Sequence, residues 1–246
     1  MRTIRIYQNQ PLVVGKTLQL DEGGVRHVVN VLRLKPDSEL VLFNGDGHDY
    51  IGRLLDTSKK HATVQIEACQ KIDRESTLHT HLALGIAKGE RMDYAMQKAV
   101  ELGVSRLTPL LSERCVVQLD TEREIKRLQH WQGVIQSASE QSGRTILPQL
   151  DPIMRFDNFL DEPADGQRMI LDPGSTMHLS QCDRPQQLIL MIGPEGGFTS
   201  SERDLAYQQG AVGIQLGPRI LRTETAVVAG LTAVQTLWGD LDRPTE

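Results

Sequence analysis

Cysteine is scarce in this chain of 246 residues: there are three, Cys69, Cys115 and Cys182, an odd number at long spacings. That excludes a disulfide framework and a cysteine-based zinc site, and predicts that each thiol is buried, weakly polar filler. Long apolar runs are also missing. None approaches the roughly 20 residues that span a bilayer. The opening Met1-Arg-Thr-Ile-Arg-Ile-Tyr7 lacks the apolar centre of a secretion signal, so the expected compartment is the cytoplasm. There is no Gly-x4-Gly-Lys-Ser/Thr loop, no Gly-x-Gly-x-x-Gly fingerprint and no Gly-x-Ser-x-Gly elbow. Nucleoside triphosphates and the commonest hydrolase chemistry are thereby set aside. His79-x-His81 places two imidazoles on one strand face, but no third ligand lies nearby in sequence, so no metal is expected. Cys115 has no evident histidine partner for thiolate catalysis. Internal repeats and low-complexity segments are absent.

What is present describes a globular chain with mixed charges and 39% apolar residues. The net charge of −5 argues by itself against nucleic acid, but the charge is unevenly placed. Residues 1–72 hold ten Lys and Arg against eight Asp and Glu; residues 73–246 hold seventeen against twenty-four. A weakly basic first module could still meet phosphates.

The first 70 or so residues predict short strands over Arg2–Tyr7, Leu12–Leu20, Glu39–Phe43, Asp49–Leu55 and Ala62–Ala68. Asn44-Gly-Asp-Gly47 marks a hairpin, and Val25–Leu34 has helical spacing. Together these suggest a small β-barrel over 1–72. Lys71–Thr77 is polar and reads as a linker. From 73 to 246 strands and helices alternate, which implies a mostly parallel sheet. Strands are expected at Leu78–Ala87, Arg106–Leu111, Arg168–Leu171, Leu188–Ile192 and Gly213–Leu216. Helices are expected at Glu90–Leu102, from Thr121 to Gly143, after Thr199, and over Thr223–Trp238. Thr121-x-x-Glu124 and Thr199-x-x-Glu202 both read as capping boxes.

Two strands run into glycine-proline loops that open helices. One is Ile192-Gly-Pro-Glu-Gly-Gly-Phe198; the other is Leu216-Gly-Pro-Arg-Ile-Leu-Arg-Thr-Glu-Thr225. Either alone is more simply a tight strand-to-helix turn. Together, at the carboxyl edge of an open sheet, they suggest one pocket with two walls. Neither offers a lysine to phosphate. The second loop adds Arg219, Arg222 and Glu224, with Thr223 as a plausible N-cap. An acid in a first helical turn also simply suits the helix dipole. Arginine there is unfavourable, so Arg222 calls for a partner such as a phosphate or a polar base edge. Glu140-Gln-Ser-Gly-Arg144 closes a helix with polar groups; Arg144 could equally meet the helix dipole or a ligand. Arg2, Arg5, Tyr7, His27, Arg33 and Lys35 form a set suited to RNA phosphates and bases, and equally to ordinary surface charge.

The two loops resemble signature segments of the SPOUT class of methyltransferases, and specifically of the RsmE family of 16S ribosomal RNA uridine-N3 methyltransferases. Arg5-Ile-Tyr7, His27-x5-Arg33, Lys88-Gly-Glu-Arg-Met92, Gln97–Gly103, Ser112-Glu-Arg114 and Glu140–Arg144 agree, so the resemblance covers nearly the whole chain. Leu171-Asp-Pro173 departs from it, with Asp172 where a histidine is common. The resemblance implies a PUA-like β-barrel over 1–72 that binds RNA, and a SPOUT domain over 73–246 whose parallel sheet carries a C-terminal trefoil knot. It implies S-adenosylmethionine as methyl donor, 16S rRNA or the small ribosomal subunit as partner, and a homodimer. Leu171 and Pro173 would hold the donor from one loop. Ile192, Gly193, Pro194, Gly196 and Gly197 would do so from a second, and Leu216, Gly217 and Leu221 from a third. Arg222 and Glu224 become the catalytic candidates. Arg2, Arg5, Tyr7, His27, Arg33 and Arg144 become the RNA-binding ones. A methyltransferase acting on another RNA or atom, and a non-catalytic RNA-binding module, are the rival readings.

Overall fold

The computed structural model describes residues 4–115 and 120–242. The chain forms two compact units, and the division is not a single cut. Everything described before Ser76, together with Ser139–Leu147, makes the first; Ser76–Ala138 and the described residues from Pro148 onward make the second.

In the first unit β1 (Arg5–Tyr7), β2 (Thr17–Gln19), β3 (Glu39–Phe43), β4 (His48–Ser58) and β5 (His61–Lys71) form one sheet in the order β1-β3-β4-β5-β2. β1 and β3 run parallel, and the other pairs are antiparallel. Alternation drives the packing. β5 buries Ala62, Val64 and Ile66, which meet Ile6, Val28, Leu40, Leu42 and Leu54 in one core. Asn44–Gly47 joins β3 to β4 as its sequence predicts, with Asp46 N donating to Asn44 Oδ1.

Three expectations change here. The segment over Val25–Leu34 is not an α-helix. A short helix α1 (Glu22–Val25), capped by Asp21 Oδ1 on Gly24 N at 2.7 Å, widens into a π-helical turn over Arg26–Val31. Its run of β-branched valines crowds a regular α-turn. Of Leu12–Leu20, only Thr17–Gln19 pairs, because the chain turns at Gly15 and leaves Val13 and Val14 exposed. None of the cysteines is buried filler. Cys69 lies where β5 runs past its core, and Cys115 and Cys182 are half-buried.

The second unit contains β6 (His79–Gly85), β7 (Arg106–Leu111), β8 (Gln149–Leu150), β9 (Met154–Arg155), β10 (Gln167–Leu171), β11 (Gln187–Ile192) and β12 (Val212–Ile214). Their order is β12-β10-β11-β6-β7-β8, with β9 also on β7, and every pair is parallel. The helices are α2 (Glu90–Glu101), α3 (Thr121–Ser142), α4 (Phe156–Asp161), α5 (Ser200–Gln208) and α6 (Thr223–Leu237). The sheet is covered on both faces. Leu188, Leu190 and Ile192 of β11 pack with Met92, Met96, Trp131, Ile135, Val227, Leu231 and Val234 of α2, α3 and α6. Ile189 and Met191 point the other way, to Phe156, Phe159, Phe198 and Ala206. The apolar face of α6 is therefore core.

Thr199 and Glu202 form the expected capping box. Thr121 does not cap α3: Asp120 does, its Oδ1 accepting from Arg123 N at 2.9 Å. Its carboxylate holds the N-cap position one residue earlier. The end of α3 and the loop after it belong to the first unit through Tyr7 N on Glu140 Oε1 (2.9 Å) and Arg5 Nη2 on the Arg144 carbonyl (3.0 Å). Arg74 Nη1 on the Gly143 carbonyl (2.7 Å) adds a third bond. No helix among the described residues is long and apolar enough to cross a membrane.

Candidate functional site

Four neighbouring parallel strands, β12, β10, β11 and β6, end on one edge of the second sheet. The chain steps from β10 to β11 on one side, then to β12 on the other. That reversal opens a crevice beyond the carboxyl ends of the strands. A cavity of about 290 Å³ lies there, near the lower end of small-molecule sites.

Its walls come from three loops. Leu171 and Pro173 follow β10; Ile192, Gly193, Pro194, Gly196 and Gly197 follow β11; Leu216, Gly217 and Leu221 follow β12. All ten positions singled out for the donor therefore border one cavity. The approach is close. A Cβ on Gly85, at the end of β6, would stand 2.5 Å from Pro194 N, so only glycine lets that strand end lie against the loop. Thr223 Oγ1 donates to the Gly193 carbonyl at 3.2 Å, joining the third loop to the second. The N-cap position of α6 is Arg222, and Thr223 is the first helical residue, its hydroxyl engaged across the loops instead of at its own helix end.

Sequence spacing did not identify several lining residues: Arg114, Asp172, Phe198, Arg203 and Ala226. Arg114 had a signal, since Ser112-Glu-Arg114 follows a strand. It donates to the Gly196 carbonyl at 2.8 Å, and Glu113 N donates to Glu202 Oε1 at 2.8 Å. Arg203 had none, being one residue past a cap. Glu195 accepts from Lys88 N at 3.0 Å and from Arg91 at 3.2 Å. Burial acts to raise its pKa, but these donors hold the carboxyl below its ordinary value.

Arg222 and Glu224 flank the cavity without lining it. Arg222 is exposed, and its guanidinium has no hydrogen bond or ion pair among the described residues. Glu224 is half-buried, and its Oε2 is buried with no hydrogen-bond partner among them.

The proposed RNA contacts are treated differently by the first unit. Arg2 lies outside the described residues. Arg5 is buried, paired with Asp49 Oδ2 at 2.5 Å, and Arg144 is buried against Glu75. Each guanidinium is paired with a carboxylate, the partner that a cation removed from water requires. Tyr7 is half-buried. His27 is partly exposed, 3.8 Å from Glu140, whose carboxyl burial pushes above its ordinary pKa. Arg33 is exposed at a positive φ of 52°.

Comparison with known proteins agrees with this geometry. Residues 74–235 match the family of RNA methyltransferase domains, and residues 20–67 match the RNA methyltransferase PUA domain. The Ribosomal RNA small subunit methyltransferase E of Buchnera aphidicola (subsp. Acyrthosiphon pisum) is 34% identical over 96% of this chain and 94% of its own. Its counterpart from Bacillus subtilis is 28% identical over 92% of each. Among solved structures, the Neisseria gonorrhoeae enzyme of that name, bound to S-adenosyl methionine, superposes with a TM-score of 0.91. It shares 40% identity over 98% of this chain and all of its own. A Legionella pneumophila protein in complex with the cofactor SAM gives 0.96, also at 40% identity and the same coverage.

Proposed function

The chain belongs to the RsmE family of RNA methyltransferases, and from that membership we propose that it methylates N3 of a uridine in 16S ribosomal RNA with S-adenosylmethionine. The carrying observation is the cavity at the strand ends. Its three loops contribute mainly glycine, proline and aliphatic residues, with no lysine among the described lining residues; Arg114, Asp172, Glu195, Arg203 and Arg219 are its charged members. Such a wall suits a nucleoside donor without phosphate. Gly196 bears on the fit: a Cβ there would stand 3.0 Å from Arg114 Cβ, so backbone, not side chain, forms that part of the wall.

Leu171–Gly174, Ile192–Gly197 and Leu216–Leu221 would hold the donor. When bound, it supplies a methyl group on an already activated sulfonium. The protein is left with alignment and exclusion of water. Uridine N3 carries a proton at neutral pH, and losing it leaves negative charge on the base oxygens. Arg222, exposed and uncommitted beside the cavity, is assigned to stabilise that charge. Glu224, with an oxygen free of hydrogen bonds, is assigned to take the proton or to orient Arg222. An N3 engaged in pairing is unreachable, so the uridine must be unpaired or extruded. Tyr7, His27 and Arg33 are the groups assigned to RNA in the PUA-like unit. The active form is a homodimer carrying the family's trefoil knot.

Label transfer from S-adenosylmethionine to naked 16S rRNA and to small ribosomal subunits, followed by nucleoside mass analysis, tests the reading. N3-methyluridine is expected. Label on another nucleoside would reassign the acceptor. Donor binding without transfer to any RNA would make the chain a binding module.

A further inference from the structure

One side chain from outside the cavity's loops reaches two of them. Arg203 lies in the first turn of α5. Its Nη1 donates to the Phe198 carbonyl at 2.8 Å, and its Nη2 reaches Ser200 Oγ at 3.4 Å, both at the end of the loop after β11. Its Nε lies 3.3 Å from Asp172 Oδ2, in the loop after β10. Asp172 is buried, and both its oxygens are engaged. Oδ1 accepts from Gly174 N at 2.9 Å, and Oδ2 also accepts from Tyr207 Oη at 2.6 Å. Tyr207, one turn along α5 from Arg203, reaches that carboxylate because Gly213 has no side chain; a Cβ there would stand 2.5 Å from its hydroxyl. Burial, then the bond to Asp172, pushes the Tyr207 phenol up to about 12, which keeps it a donor throughout the physiological range.

We propose that Arg203, acting with Asp172 and Tyr207, is a positioning residue that fixes two loops of the donor pocket at their binding separation before the donor arrives. The proposal rests on the donor reading above. Glycine- and proline-bearing loops lose conformational freedom when they close on a ligand, and that loss weakens binding. A brace already present in the free protein removes part of it. A guanidinium fits the task because its planar fork serves several acceptors at once, whereas an ammonium on a flexible stem does not. Asp172 lines the cavity, but its carboxylate is turned to the brace and not to a ligand.

The test compares Arg203→Met, Arg203→Lys, Asp172→Asn and Tyr207→Phe with the wild-type chain. Calorimetry gives S-adenosylmethionine affinity, and turnover at saturating donor gives kcat. Arg203→Met should weaken donor binding, and raise the donor KM, by about tenfold or more. At saturation kcat should stay within roughly twofold. Arg203→Lys, which keeps the charge but not the fork, should fall close to Arg203→Met. The Arg203→Met/Asp172→Asn double variant should bind the donor better than the product of the single losses predicts, because both remove one shared interaction. Folded variants with wild-type donor affinity would overturn the proposal. So would a fall in kcat with an unchanged donor KM. Where Arg203→Met fails to fold, Tyr207→Phe, which removes one hydroxyl, decides by the same two measurements. Wild-type protein that binds no donor would overturn the donor reading and the brace with it; wild-type binding with unaffected variants overturns the brace alone.

Discussion

Arg222 and His81 are both basic side chains in the second unit, but their surroundings assign them opposite work. Arg222 is exposed and uncommitted beside a cavity, so removing it leaves no buried partner unpaired. Arg222→Ala should unfold at the wild-type temperature and bind donor normally, while turnover falls by about 10²–10³. Near-normal turnover in steady-state assays would take Arg222 out of the mechanism. His81 is buried between β6 and β7. Its Nε2 lies 2.7 Å from Thr108 Oγ1, and Thr108 in turn donates to Asp151, which Arg106 also holds at 2.7 Å. Burial, then the Arg106 charge, lowers the His81 pKa from its ordinary 6.5 to about 4, against the attraction of Asp151. Between those values the unfolded chain binds a proton that the folded chain refuses. Stability therefore rises with pH across the window and is lost as pH falls from about 6.5 toward 4. The loss should reach roughly 3 kcal/mol at the bottom of the window. His81→Gln keeps a donor near Thr108 without a titrating ring. Urea unfolding of the two proteins at pH 7 and pH 4.5 should show a smaller acid loss in the variant; equal losses would put the titration elsewhere.

The strand ends decide whether the loops form a pocket. β6 must end in a residue without a side chain, because Pro194 lies where a Cβ would be. Gly85→Ala is expected to cost about 1–3 kcal/mol, typical of overpacking. It should also weaken donor binding, because Pro194 is displaced with its loop. Thermal unfolding and calorimetry on one preparation separate the two effects, and an unchanged affinity would mean that the loop tolerates the shift. Helix beginnings are the second lesson at this scale. The box at Thr199 was legible in sequence, and its Glu202 also reaches Glu113 N, so one cap bonds to two segments. Asp120 could be mistaken for a loop residue because Thr121 and Glu124 fit the same pattern one position later. Thr223 looked like a cap, and its hydroxyl is instead engaged by Gly193. Local pattern nominates candidates for a helix end; the neighbour within reach selects among them.

At the scale of the whole chain, the end of α3 and the loop after it, 139–147, belong with the first unit although the rest of that helix is in the second. Buried arginines make that attachment: Arg5 bonds to the Arg144 carbonyl, and Arg144 pairs with Glu75. The homodimer is also tested at this scale. Light scattering should give twice the 27.5 kDa chain mass if the homodimer assigned above is correct. A single-chain mass at micromolar concentration would remove the homodimer from the proposed function.

Sequence alone determined the alternation of strands and helices that makes one sheet parallel, the close strands of the first unit, and two loops that end strands in glycine and proline. Those properties are local: each depends on a residue's own backbone preferences or on the period of its neighbours. The resemblance carried by the loops reached the family for the same reason, since loop sequences are contiguous. Tertiary structure decided everything that depends on partners far apart in the chain. It withdrew Arg5 and Arg144 from the surface, continued α1 into a wider π-helical turn over Arg26–Val31, and paired Arg203 with Asp172 across 31 positions. No periodicity encodes such pairings, because a buried charge is defined by what closes over it and not by what precedes it.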